Sequence, residues 1–210
     1  MIKKLTKEQE AKVIEYRQRY FNQATSTERA DRERAEVAAR RLMGIKGVKI
    51  NEVFLVDSPQ EGKEKYDLFR GLITDSLRGF FNDSLEASLW NSLSGSLSYS
   101  FWALLNRLLM ESLRNSLWRF LRRSSSDSFW ALLRGSLWDS LWDTGSVAFA
   151  IFVINELGVE IGDEEREKLH LINEILASCF ALWIVPGMVI LCDRPRSVDV
   201  QEGKLVNMEW

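Results

Sequence analysis

Histidine occurs once in this chain, at His170, and cysteine twice, at Cys179 and Cys192. So few soft ligands exclude an ordinary structural zinc site, and no cofactor or metal is expected. Two cysteines in 210 residues do not make a disulfide framework. They read as buried thiols of a reducing cytoplasm. An excess of charge is missing too: the net charge is −2, which argues against a nucleic-acid partner, whose phosphates call for a basic surface. The N-terminal Met1-Ile-Lys-Lys-Leu-Thr-Lys-Glu holds no apolar stretch, so no secretory signal is expected. The one long uncharged run, Ile175 to Cys192, has 18 residues, the length of a short membrane span. Pro186-Gly187 interrupts it. The reading is the end of a buried helix, a turn and a buried strand, with a membrane span as the alternative.

Hydrophobic residues make up 46% of the chain, enough to bury a sizeable core and to exclude disorder. Thr6 with Gln9 three residues later is a capping box, which starts a helix running to about Phe21. Thr25-Ser26-Thr27-Glu28 reads as a second helix start, with Gly44 as its C-cap. Val53 to Val56 reads as a buried strand ended by Asp57-Ser58-Pro59. A helix is expected from Glu61 to Thr74. Past Thr144-Gly145, an apolar helix spans Val147 to Leu157. Another starts at Gly162-Asp163 and reaches about Trp183. A second buried strand, Val189-Ile190-Leu191, ends at Asp193-Arg194-Pro195, and a hairpin turns around Gln201-Glu202-Gly203. The two strands share a pattern, an apolar run followed by Asp-x-Pro, so they are expected to be neighbours that bring both chain ends together. The charges agree with this. Residues 1–74 carry 16 basic and 12 acidic side chains, and residues 144–210 carry 5 and 11.

Between the flanks, residues 76–143 form 17 consecutive tetrads, from Ser76-Leu-Arg-Gly to Ser140-Leu-Trp-Asp. The second position is Leu or Phe in 16 of them, the exception being Ser125. The first is usually Ser, the third often Trp or Arg, and the fourth often Asp, Asn, Gly or Ala. Four residues of α-helix turn about 400°, so an apolar stripe of this period drifts roughly 40° per tetrad and winds off any single partner. Recurring Ser, Asn, Asp and Gly also disfavour helix, Phe101 to Arg123 excepted. The expected fold is therefore α+β: residues 1–74 and 144–210 supply helices and short strands, flanking a β-solenoid over residues 75–143, the whole forming one unit. In that solenoid Leu points inward and Asp, Asn or Gly turns each corner. A side of four residues spans about 13 Å, so four tetrads per coil give the leucines more room than three. The alternative is that the repeat is α-helical.

The chain resembles an uncharacterised bacterial family, a domain of unknown function, whose members carry Val-Trp-Asp-Gln and Val-Arg-Asp-Gln tetrapeptide arrays. The matching pieces are Leu5-Thr-Lys-Glu-Gln, Ser26-Thr-Glu, Ala35-Glu, Val56-Asp-Ser-Pro, the Leu-Trp-Asp-Ser array and Cys192-Asp-Arg-Pro. They cover nearly the whole chain. Family members continue with a Leu-His-Asn-Glu-Asp-Gly type of segment. Leu205-Val-Asn-Met-Glu-Trp stands in its place here, without the histidine. The resemblance implies no known activity.

These observations point to a protein-interaction or scaffold module with no catalytic residues. Trp90, Trp102, Trp118, Trp130, Trp138 and Trp142 at third positions are candidate anchors for an unknown protein partner, Trp and Arg being enriched in such roles. The plain alternative is that they pack under the flanking helices. Open solenoid ends also allow a homo-oligomer unless the flanks cap them. A membrane partner is disfavoured, because interfacial binding needs the repeat to be an amphipathic helix. An enzyme is the third reading. Asp57, Ser58, Asp193 and Arg194 could converge at adjacent strand ends, where two carboxylates and an arginine suit acid–base chemistry. Against it, aspartates at such positions cap turns, and Arg194 could simply pair with one of them. His170, alone on a helix, reads as structural.

Overall fold

A computed structural model describes residues 4–45, 47–70, 97–112, 115, 144–185, 187–201 and 204–210. Helix α1 is Lys7–Ala24 and starts at the expected capping box: Thr6 Oγ1 accepts from the Gln9 N–H and the Thr6 N–H donates to Gln9 Oε1. Helix α2 is Arg32–Ile45 and starts later than its Thr25-Ser26-Thr27 signal suggested. Asp31 caps it instead, its Oδ1 accepting from the Arg34 N–H at 3.1 Å. Residues 25–31 are thereby left as a linker. Strand β1 is Glu52–Val56 and helix α3 is Pro59–Arg70. Helix α4, Tyr99–Leu105, continues as a π-helical turn, Asn106–Glu111. Helix α5 covers residues 144–157 and helix α6 is Asp163–Ser178. Strands β2 (Ala181–Val185), β3 (Met188–Cys192), β4 (Ser197–Gln201) and β5 (Lys204–Glu209) complete the chain.

The sheet order is β1-β3-β2. β1 runs parallel to β3 with Val53 opposite Val189 and Val56 opposite Cys192, as their shared pattern suggested. β2 runs antiparallel to β3. The uncharged run Ile175–Cys192 is therefore a helix end and a hairpin. The helix does not reach Trp183, because Ala181–Val185 carries three β-branched or aromatic side chains that fit a pleated surface. At the hairpin tip Gly187 holds a positive φ of 75°, which a side chain would strain. Its carbonyl accepts from the Asn51 N–H at 2.7 Å, fastening the tip to the start of β1. Among the described residues, no helix is long and apolar enough to cross a membrane.

Side chains of the sheet alternate between two apolar clusters, as a period of two requires. Val53, Leu55, Val189 and Leu191 join the main core with α2 and α6. Phe54, Val56, Ile190, Cys192 and Trp183 face the other way and meet Tyr66 and Phe69 of α3. Helix α5 is the centre of the main core: every residue from Val147 to Ile154 is buried, so its apolar character all round is matched by neighbours all round. Tyr16 of α1 sets its ring edge-on to Phe152 at 5.4 Å. Gly158, φ 67°, ends this helix, and the Val159 N–H returns to the Val153 carbonyl. β4 and β5 form a separate antiparallel hairpin with a bulge between Asp199 and Val200.

The repeat corrects the expected fold. From Tyr99 on, the described tetrad residues are helical, not the coils of a β-solenoid. A drift of about 40° per tetrad belongs to uniform α winding. Part of this helix winds as π, which turns more slowly, so the drift does not accumulate. Second-position residues Leu97, Phe101, Leu105 and Leu109 are all buried, while Tyr99, Ser100, Ala103, Leu104, Arg107 and Leu108, at fourth and first positions, are exposed. The second position points inward as expected, from the helix face that carries Phe101, Leu105 and Leu109 and from Leu97 just before it.

Candidate functional site at the ends of β1 and β3

The parallel register that places Val56 beside Cys192 delivers Asp57 and Asp193 to the same end of the sheet. The ladder runs one bond further, from the Asp193 N–H to the Val56 carbonyl at 2.8 Å. Ser58 follows Asp57 and caps α3. Its Oγ accepts from the Glu61 N–H at 3.2 Å and its carbonyl from the Gly62 N–H at 3.0 Å. Glu61 Oε2 in turn accepts from the Asp57 N–H. The serine hydroxyl is thus used as a helix cap.

Asp193 is a buried carboxylate, its side chain 3% exposed. A charge there has to be met by donors. Oδ1 accepts from the backbone N–H groups of Ala30 and Arg194, both at 2.7 Å, and Oδ2 lies 2.5 Å from the Arg29 guanidinium. The same guanidinium reaches Asp57 Oδ1 at 3.3 Å. Arg29 is therefore the cation that neutralises both aspartates, a part the sequence reading had offered to Arg194. Residue 29 falls within the helix expected from the Thr25-Ser26-Thr27-Glu28 start. No local pattern could mark it, because its partner Asp193 is 164 positions away in sequence.

Arg194 is buried among carbonyl groups. It donates to Glu28 O at 3.4 Å and to Ala177 O, at the end of α6. Burial lowers the pKa of its guanidinium, and the neighbouring Cys179, Glu28 and Asp193 push it back up. The Asp31 N–H donates to the Ser178 carbonyl at 3.0 Å. The four residues singled out at the strand ends do come together, and what they join is the 25–31 linker, the end of α6 and the ends of β1 and β3. Cys179 and Cys192 are free, buried thiols beside this cluster. Burial pushes the Cys179 pKa up to about 12, so it is a neutral thiol and a poor nucleophile.

Acid–base chemistry needs a carboxylate free to take a proton from a substrate. The oxygens of Asp193 are committed to three donors, and Asp57 lies in solvent beside Arg29. Among the described residues, no group of three or more His, Cys, Asp or Glu side chains is gathered for a metal ion. His170 is exposed on α6.

Of the six tryptophans at third positions, Trp102 lies on α4, partly buried, with its ring edge-on to Phe149 of α5 at 6.3 Å. This is the sealing arrangement. Trp90, Trp118, Trp130, Trp138 and Trp142 lie outside the described residues. The side chains that do face solvent were not singled out by the sequence: Tyr99 is 87% exposed, Leu104 39% and Leu108 38%. The available signal was a break in pattern. Ser occupies the first position in 12 of the 17 tetrads, and Leu104 and Leu108 are among the exceptions. Compared with protein-family models, curated proteins and solved structures, the chain matches none.

Proposed function

We propose that this protein is a non-enzymatic interaction or scaffold module of the cytoplasm, which holds a protein partner on the outward side of its repeat helix. The observation that carries this reading is the outward side of the repeat helix, where Leu104 and Leu108 lie one turn apart and Tyr99 stands at the helix start, three large apolar side chains in solvent while Phe101, Leu105 and Leu109 are buried. Arg107 is exposed next to Leu108, which favours a partner whose apolar patch is edged by a carboxylate. The polar cluster at the strand ends supports the non-enzymatic part, since its buried groups are spent on joining backbone segments.

A second reading is favoured by the helical repeat itself. Tyr, Leu and Arg on one helix face suit the interface of a lipid bilayer. One pair of experiments separates the two. The wild type and a Leu104→Asp, Leu108→Asp double variant are compared in affinity capture with mass-spectrometric identification, and in flotation with anionic vesicles. The expected result is one saturable protein partner lost by the variant, with a melting temperature unchanged to within about 2 °C. Vesicle binding that the variant abolishes would establish the membrane reading. Retention of the same partner by the variant would remove the outward row from the mechanism.

A further inference from the structure

We infer that the described tetrads are a helix tuned to four residues per turn, in which the π-turn Asn106–Glu111 keeps the period in phase with the core. Counting from Phe101 along a uniform α-helix, Leu104, Leu105 and Leu108 complete the usual inward set at intervals of three, four and seven. Leu108 would sit about 20° from Phe101 and Leu109 about 80° away. The structure has the opposite: Leu109 is 0% exposed and Leu108 38%. A tetrad of α-helix overshoots a full circle by about 40°, and a tetrad of π-helix, closing i→i+5 bonds, falls short by roughly 30°. One followed by the other returns Phe101, Leu105 and Leu109 to nearly one direction.

A second observation places the π-turn against the core. Gly145 begins α5 without a side chain where the Met110 backbone lies: a Cβ there would sit 3.3 Å from the Met110 carbonyl oxygen and 3.1 Å from its Cγ. Met110 itself is buried, with Sδ 3.4 Å from Ser146 Oγ. Beyond the turn, Ser112 Oγ accepts from Arg17 of α1 at 3.2 Å. The wide turn thus docks backbone against backbone, and the row Ser100, Leu104 and Leu108 is held outward at an interval of four. This assignment stands whether or not that row binds anything.

Single cysteines test it, because the native thiols Cys179 and Cys192 are 3% and 0% exposed and supply a quiet background. Leu108→Cys and Leu109→Cys are labelled with a maleimide in the native protein, with Tyr99→Cys as the exposed reference and Leu105→Cys as the buried one. Leu105 faces the core under either winding. The expected result is that Leu108→Cys reacts at least about tenfold faster than Leu109→Cys, close to the Tyr99→Cys rate. Uniform α winding with its inward face centred on Phe101 reverses that order. Reversal, or equal rates at the two positions, would overturn the phase-keeping role of the π-turn.

Discussion

Asp193 shows how one buried charge can be structural. Two donors from the distant 25–31 linker, Arg29 and Ala30, and one from the neighbouring Arg194 converge on it, and Arg29 shares its charge with Asp57. Removing this carboxylate leaves the backbone N–H groups of Ala30 and Arg194 without their acceptor, at about 1–3 kcal/mol each, while the half-exposed Arg29 keeps Asp57 and water. Asp193→Ala is therefore expected to lose about 3 kcal/mol or more in urea unfolding followed by circular dichroism, whereas Asp57→Ala, at an exposed end of the same network, loses under about 1 kcal/mol. Equal losses would show that the buried aspartate does not hold the linker. The Asp-x-Pro pattern was legible because proline and aspartate act locally. The identity of the counter-ion was not, because Arg29 is indistinguishable in sequence from the other arginines around α2.

Among elements, the clearest dependence of one on another is that of α3 on β2. Gly62 lies inside α3, where glycine weakens a helix, and a Cβ there would collide with the Trp183 ring of β2. Helix propensity alone makes Gly62→Ala stabilising by about 1 kcal/mol. The contact reverses the sign, because both the ring and the helix backbone are packed in place. The expected outcome is a lower melting temperature and a shift in tryptophan emission as Trp183 moves, and a rise in melting temperature would refute the close packing. Most elements were legible from local signals: the Thr6 and Gln9 box, the apolar runs of β1 and β3, the acidic first turn of α6 with Asp163, Glu164 and Glu165. The start of α2 was misread because Ser26 and Thr27 are good caps in isolation. Asp193 and Arg194 instead engage Ala30 and Glu28 and hold this stretch out of the helix.

At the scale of the whole molecule, the core buries several ionisable groups in their neutral forms. Burial raises the pKa values of Cys192 and Tyr20 and takes Cys179 from 9.0 to about 12. A folded-state pKa above the unfolded value means that the unfolded chain gives up its proton first. The stability from these groups is fully present below the ordinary thiol value and is lost as pH rises through the folded one. Between about pH 9 and 12 each such thiol removes roughly 1 kcal/mol per pH unit. The urea midpoint is expected to be level from pH 7 to about 8 and to fall steadily by pH 10.5. A midpoint that holds level to pH 10.5 would mean that the thiols are not kept neutral by burial.

Composition and periodicity alone determined that this chain has a large core, that its two flanks carry short strands of one pattern, that those strands are neighbours, and that the second tetrad position, at Leu97, Phe101, Leu105 and Leu109, points inward. Each of these rests on interactions within a few residues or on two matched segments. The winding of the repeat was decided by the tertiary structure. A period of four fits neither an α-helix nor a π-helix by itself, and the described stretch passes from α to π winding where Met110 lies against Gly145. The same holds for the strand ends. Asp57 and Asp193 were brought together by register, and whether they formed a reactive pair or a fastening depended on Arg29 and Ala30, which reach them only when the linker folds back over the sheet.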